Sequence, residues 1–439
     1  MTTKLRLASL LATAAIVATA CGGGASTAPT SAPTGAATPG ATPTAVPYPT
    51  APVAITLWTK EGEADGALQY GKKLAAAYTA LHSNVTFTVI NKNVEDLRTD
   101  FLKAAQAKQA PDLLWTVADH IGPFTAADVI EPVDGLIDTA SYLPSALAAV
   151  QADGKTWGAP ISNGNQLMLY WNKSLAGDTA PADSDALVAK AKELTTGGNY
   201  GLVFNQTESF WLVPFLGGYG GSVFGTDGKT PTLDTDAMKK ALKFMYDLKY
   251  TDKVMPNEAD YNGADTLFTS GKAGFIVNGD WTLANYATKL GANLGVAALP
   301  KMTGGEDPHP YTAGAFFMVS KSVADNADKQ FVIGDFLKFA TNKDNQIDMV
   351  KTLRRLPANV DAIKDAIVTG DALLAAAADA VQKGVPQPTN LEMRCVFDRM
   401  TTGVRALFKS SSSDPTQIAA DMQSGATTDV GAGGKCGPA

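Results

Sequence analysis

A chain of 439 residues with 43 acidic and 36 basic side chains carries a formal charge of −7, so it has no electrostatic basis for binding nucleic acid or anionic lipid headgroups. Its 45% hydrophobic content is enough for two sizeable cores, but past the first 20 residues no apolar run approaches the roughly 18 residues that span a bilayer. The three histidines, His82, His120 and His309, are far apart and show no metal-ligand spacing, which argues against a histidine-built zinc site.

Lys4 and Arg6 precede an apolar stretch from Leu7 to Ala18, and Ala18-Thr19-Ala20-Cys21 follows. An apolar run of about a dozen residues is too short to span a membrane and reads as a secretory signal peptide over 1–20. Small residues leading to a cysteine resemble the bacterial lipobox, in which the cysteine is lipidated and becomes the first mature residue. Ala18 stands where a branched residue is usual, and an ordinary signal peptide cut near Ala20 is the alternative. From Cys21 to Pro52 the chain is almost wholly Gly, Ala, Thr, Ser and Pro, without charge and with Tyr48 as its single aromatic. Such a segment has too little apolar surface to offset its ordering entropy, so a disordered, lipid-anchored linker over 21–52 is expected. Its root-mean-square reach is roughly 30 Å.

The folded part begins with a short apolar run, Ala54–Trp58. Leu68, Gly71, Leu74, Ala75, Tyr78 and Leu81 then recur at helical spacing, and Val85, Phe87 and Val89 alternate with Thr86 and Thr88 as a strand. Leu97, Phe101, Leu102 and Ala105 mark a second helix, and Leu113-Leu114-Trp115 a short buried strand. Strand–helix–strand–helix–strand predicts an α/β fold with a mostly parallel sheet flanked by helices. In such sheets ligands bind where loops leave the carboxyl ends of the strands. The first strand runs out into Lys60-Glu61-Gly62-Glu63 and the third into Thr116-Val117-Ala118-Asp119-His120, so two loops bring Glu61, Glu63 and Asp119 to one rim.

The middle of the chain repeats this logic. Gly158-Ala159-Pro160-Ile161 leads into the apolar strand Leu167–Trp171. Gly201–Phe204 is a further strand, followed by the polar, aromatic loop Asn205-Gln206-Thr207-Glu208-Ser209-Phe210-Trp211. Ala237–Leu248 reads as a helix, and Phe275-Ile276-Val277 as a strand ending in Asn278-Gly279-Asp280-Trp281. With Cys21 lipidated, Cys395 and Cys436 remain, and in an oxidising compartment they read as one disulfide; two buried free thiols are the alternative.

These segments, taken in order, resemble the maltose-binding branch of the type II periplasmic solute-binding proteins of ABC sugar importers. The resemblance is carried by Leu57-Trp58 with Gly71-Lys72-Lys73, Pro111-Asp112-Leu113-Leu114-Trp115, and Asp119-His120-Ile121-Gly122. It continues through Tyr170-Trp171-Asn172-Lys173, Gly217-Gly218-Tyr219-Gly220-Gly221, Phe268-Thr269-Ser270-Gly271-Lys272-Ala273, Asn278-Gly279-Asp280-Trp281 and Leu299-Pro300. It implies two α/β lobes joined by three chain crossings, with a sugar in the cleft between them. The crossings are expected near 162–166, 296–301 and 353–359. The N-terminal lobe would then comprise 53–162 plus 298–353 and the C-terminal lobe 166–296 plus 358–425, leaving a Gly-rich tail over 426–439.

The same resemblance assigns site residues. Asp119 falls on an acidic sugar ligand, and His120 where arginine is frequent. Glu208 matches an acidic position of the second lobe, Trp281 a sugar-stacking tryptophan, and Phe397 another stacking aromatic. Asn165 replaces an acidic contact, Phe210 a tyrosine, and Thr116 a cleft tryptophan, so the ligand need not be maltose itself. Glu61, Glu63 and Trp211 complete the expected binding set. Aromatic faces stack on the C–H faces of pyranose rings, and carboxylates accept from the hydroxyls in charge-assisted bonds. No cofactor and no metal is expected. The expected partners are an oligosaccharide, the transmembrane permease subunits of an ABC importer, and the membrane through an N-terminal lipid, with the protein itself a monomer outside the cytoplasm. An exported glycoside hydrolase would need two carboxylates flanking the scissile bond; the chain lacks Gly-x-Ser-x-Gly, His-Glu-x-x-His and phosphate-loop motifs, and no enzyme is expected. A binding protein for a polyamine, metal complex or peptide is the remaining alternative.

Overall fold

The alternation of buried and open side chains along Val53–Thr59 makes it a half-covered strand, with Val53, Ile55, Leu57 and Thr59 turned inward. The computed structural model describes residues 47–63 and 66–432; the leader, Cys21, most of the linker and Cys436 lie outside the described residues. In chain order the first half contains β1 (Val53–Thr59), α1 (Ala67–Leu81), β2 (Val85–Asn91), α2 (Val94–Gln106), β3 (Leu113–Thr116), α3 (Ile121–Ala126), β4 (Ile130–Glu131) and β5 (Ala159–Ser162). It continues with β6 (Leu167–Asn172), β7 (Tyr200–Val203), α4 (Asp236–Tyr250), α5 (Tyr261–Thr269), β8 (Ala273–Gly279), β9 (Leu294–Ala297) and β10 (Ala315–Ser320). The last helices used below are α6 (Ala327–Ala340), α7 (Lys343–Leu353), α8 (Leu391–Lys409) and α9 (Pro415–Gly431). Residues 426–431, expected in the tail, belong to α9 because Ala426 is buried and Asp429 pairs with Arg399 at 2.7 Å.

Two sheets define two lobes. In the first, β1 pairs in parallel with β2 and β3, Val53 opposite Val85 and Leu57 opposite Leu113. The crossovers α1 and α2 are what parallel neighbours require. β10 then runs antiparallel to β3, β4 and β5, so a strand about 150 residues downstream of β5 completes this sheet. The second sheet has the order β9–β6–β8–β7, with β6 antiparallel to both neighbours and β8 parallel to β7. Both sheets are therefore mixed, with parallel and antiparallel pairs in each.

Every residue of β8 is buried, which requires cover on both faces. Phe275 and Val277 join Leu167, Leu169, Met393, Val396 and Met400 on one side. Ile276 joins Met168, Tyr170, Phe268 and Tyr286 on the other. In the first sheet Trp115 and Phe317 face α1 and α6, while Leu114, Phe316 and Met318 face Phe101 and Phe124. Four apolar layers on two sheets explain why strands here read as near-continuous hydrophobic runs.

The crossings are tied together by backbone. Ser162 bridges Pro357, and Asn163 N–H donates to Leu356 C=O at 2.9 Å. Buried Gln346 donates to Ile161 C=O at 2.7 Å and accepts from Ala358 N–H at 2.8 Å. The stretch after β9, expected in the first lobe from residue 298, packs Leu299, Met302 and Tyr311 into the second lobe's core instead. Glycines permit this: a Cβ on Gly218 would lie 2.4 Å from Met302, and one on Gly217 would lie 2.6 Å from His309. The chain joins the first sheet only where Ala313 and Gly314 donate to Gly164 C=O.

Candidate functional site

A cleft of about 740 Å³ opens between the lobes, lined from the first by the loops that leave β1, β2 and β3. From the second come the loop after β7, the start of α5, the turn after β8 and the Arg394, Phe397 and Thr401 side of α8. Nine of the eleven expected residues line it: Glu61, Glu63, Asp119, Asn165, Glu208, Phe210, Trp211, Trp281 and Phe397. Thr116 and His120 do not. Both are fully buried and share a hydrogen bond of 2.7 Å between Oγ1 and Nδ1, with the imidazole 5.3 Å from the Phe124 ring. The 3₁₀ turn Ala118–His120 sends Asp119 to the cleft and His120 into the core, a divergence invisible in a linear motif.

The aromatic wall belongs to the second lobe. Trp281 is half-buried, and its indole N–H donates to the Tyr261 hydroxyl at 2.9 Å. Its ring folds back over the strand end, where a Cβ on Gly279 would come within 2.1 Å of it, so this motif needs its glycine. Phe210 lies 6.2 Å from Trp281 at a 49° tilt. Trp211 is buried, donates to Val277 C=O at 2.8 Å and stands 6.2 Å from Tyr261, so it backs the wall rather than facing it. Phe397 is buried beside Tyr311, 6.0 Å between rings.

The acids divide by environment. Glu61 is buried between Arg355, 2.8 Å away, and Lys60, also 2.8 Å away. Burial alone would raise its pKa, but the two cations outweigh it and hold the carboxyl at about 2. Glu61 therefore anchors the third crossing to the first lobe. Asp280, at the end of β8, is buried too, and burial pushes it up to about 6 despite Arg355, Lys60 and an Asn165 N–H at 3.1 Å. Asn165 adopts a left-handed φ of 63°, and Gly164, its neighbour in the crossing, leaves only enough room for the Asp280 carboxylate. Asp119 is nearly buried, with the Arg394 guanidinium 3.5 Å away. Glu63 and Glu208 are exposed at the rim.

Several cleft residues lie outside the expected set: Tyr261, Asp265, Lys92 and Arg394. Arg355 and Asp280, equally unexpected, are buried behind the lining. Asp265 accepts from the Tyr286 hydroxyl at 2.8 Å, and burial raises its pKa. Arg394 and Asp398 stand four residues apart on α8, a helical ion-pair spacing that the sequence displays openly. Across the lining residues, six carboxylates face three cations, Lys60, Lys92 and Arg394, which disfavours an anionic ligand. Among the described residues no group of acids, histidines and cysteines could hold a metal, and no helix is long and apolar enough to cross a membrane.

The comparisons agree with this geometry. Residues 73–376 match the bacterial extracellular solute-binding protein family, and the chain belongs to it. It is a solute-binding protein, not an enzyme, and its two lobes and cleft are the binding fold of that family. The chain is 27% identical over 348 residues to the maltodextrin-binding protein MdxE of Bacillus subtilis, covering 75% of this chain and 79% of that one. It is 25% identical over 351 residues to the maltotriose-binding protein of Pyrococcus abyssi, covering 78% and 75%. The maltose/maltodextrin-binding domain MalE from Bdellovibrio bacteriovorus, bound to maltotriose, superposes with a TM-score of 0.81 at 27% identity, over 86% of this chain and all of that one.

Proposed function

We propose that this protein binds a neutral oligosaccharide of the maltodextrin class in the interlobe cleft and delivers it to the permease subunits of an ABC importer. The observation that carries the reading is the half-buried Trp281 face, braced by Tyr261 and Phe210, across the cleft from the Asp119 carboxylate. A pyranose needs just this pairing of a flat apolar face and a charged acceptor for its rim hydroxyls. Relatives named for maltodextrin and maltotriose support the same ligand class. A cleft of about 740 Å³ is large enough for more than one sugar ring.

In this reading Asp119, Glu208, Asn165 and Glu63 meet hydroxyls, Trp281 and Phe210 stack, and Phe397 closes the end of the site. The protein acts as a monomer, held outside the cytoplasm by a lipid on Cys21 and the part of the linker before Tyr48. Tyr48 itself, expected within the disordered linker, stacks on His82 at 4.2 Å, and its hydroxyl lies 3.1 Å from that of Tyr78. A thermal-shift screen across maltose, maltotriose, trehalose, cellobiose and xylo-oligosaccharides tests the ligand class. The right sugar at 100 times its dissociation constant stabilises the fold by about 2.7 kcal/mol. No shift with any α-glucan, or a larger shift with a polyamine or peptide, would overturn the proposal.

A further inference from the structure

Arg394 ties the two lobes together at one edge of the cleft. Its helix, α8, belongs to the second lobe through Met393, Val396 and Met400. Its guanidinium leaves that core and is gripped from below by Asp398, one helical turn on, which accepts from Nε at 2.8 Å and also from an Nη. The remaining Nη lies 3.5 Å from Oδ2 of Asp119, which is carried by the first lobe at the end of β3. All three side chains are at least 88% buried, so the pair is weakly screened. The separation exceeds a charge-assisted hydrogen bond, so Asp119 keeps lone pairs for a further donor.

A second contact reinforces the first. The entry to α8 lies directly on α3, where a Cβ on Gly122 would come within 2.5 Å of the Asn390 carbonyl carbon and 2.6 Å of the Leu391 nitrogen. Backbone therefore meets backbone across the lobes beside the ion pair. From these observations we infer that Arg394 is a positioning residue, a clamp that draws Asp119 toward α8, fixes how far the cleft opens at rest, and so sets affinity. The inference rests on the oligosaccharide reading for its affinity readout but not for its conformational one. A ligand that binds the closed form gains by whatever fraction of molecules is already closed.

Small-angle scattering on the mature chain and calorimetric titration with maltotriose test it. Arg394→Gln should enlarge the radius of gyration without sugar and weaken maltotriose binding at least about tenfold, as loss of a buried charge partner does. Arg394→Lys, which keeps charge but not the fork, should recover part of both. Gly122→Leu, which places a side chain against Asn390 and Leu391, should open the cleft with Arg394 intact, keeping the test valid if Arg394→Gln fails to fold. An unchanged radius in Arg394→Gln overturns the clamp, including the case in which affinity alone falls and Arg394 merely touches the sugar. If the wild-type chain binds no α-glucan, the ligand reading fails, and the radii still decide on the clamp.

Discussion

Trp281 and Trp211 flank Phe210 in the same wall, at 6.2 Å and 6.0 Å between rings, yet their environments assign them different work. Trp281 is half-buried and offers a face to the cleft, whereas Trp211 is buried and bonded to β8. Trp281→Ala should therefore cost about 2 kcal/mol or more of binding with little change in unliganded melting. Trp211→Ala should cost about 3 kcal/mol or more of stability. Parallel titrations and melts check the pair, and the assignment fails if the two mutants behave alike. Glu61 and Asp280 make a second contrast, in pH. The Glu61 pKa is depressed to about 2, so its stabilisation is complete above the ordinary 4.5 and is lost as pH falls toward 2. The Asp280 pKa is raised to about 6, so its ionised form burdens the folded state at neutral pH, and that burden lifts as pH falls through 6. Melting temperature should accordingly rise between about pH 7 and 5 and fall below about 4. Asp280→Asn should abolish the rise and leave the fall; a rise of equal size in the variant refutes the assignment.

Among the elements, α8 does most to join site and core. Its buried face carries Met393, Cys395, Val396 and Met400, its cleft face Arg394, Phe397 and Thr401, and Gly403 admits Met422 of α9 at a distance no side chain would allow. Cys395 is disulfide-bonded, while Cys436 lies outside the described residues. We expect these two to be partners. A closed loop of about 41 residues would stabilise the fold by roughly 4 kcal/mol in the chain-entropy model, and it would hold α9 against α8. Peptide mapping without reduction should recover the Cys395–Cys436 pair, and reduction should lower the melting temperature. Two free thiols in exported protein would contradict this.

For the molecule as a whole, the three crossings are short and mutually bonded, while the cleft is lined from both lobes. A ligand touching both lobes binds the closed arrangement better and shifts the population toward it. Scattering with the right oligosaccharide should show compaction, and prolonged incubation should leave the sugar intact. Accumulation of reducing ends would be incompatible with a binding protein.

Much of this was legible in the residues themselves. Periodicity located β1, α1, β2, α2 and β3, because the inward positions of a strand or helix must be apolar wherever one face is covered. The loops at the ends of β1 and β3 pointed to the cleft, since parallel strands deliver their carboxyl ends to one rim. What linear order could not express was side-chain direction within a single turn. Asp119 and His120 are neighbours, and a 3₁₀ turn sends one to the cleft and the other to Thr116 in the core. Nor could it give the charge partners. Glu61 looks like a rim acid until Arg355, 294 residues away, closes on it and converts it into a strut of the hinge. The passage of residues 299–311 over the second lobe likewise depended on Gly217 and Gly218 meeting Met302 and His309. Local pattern therefore determined the elements and the rim, because both follow from nearest-neighbour geometry. Tertiary structure decided which rim residues stay free for a ligand and which are bound into the hinge, because burial and ion pairing are set by groups distant in sequence.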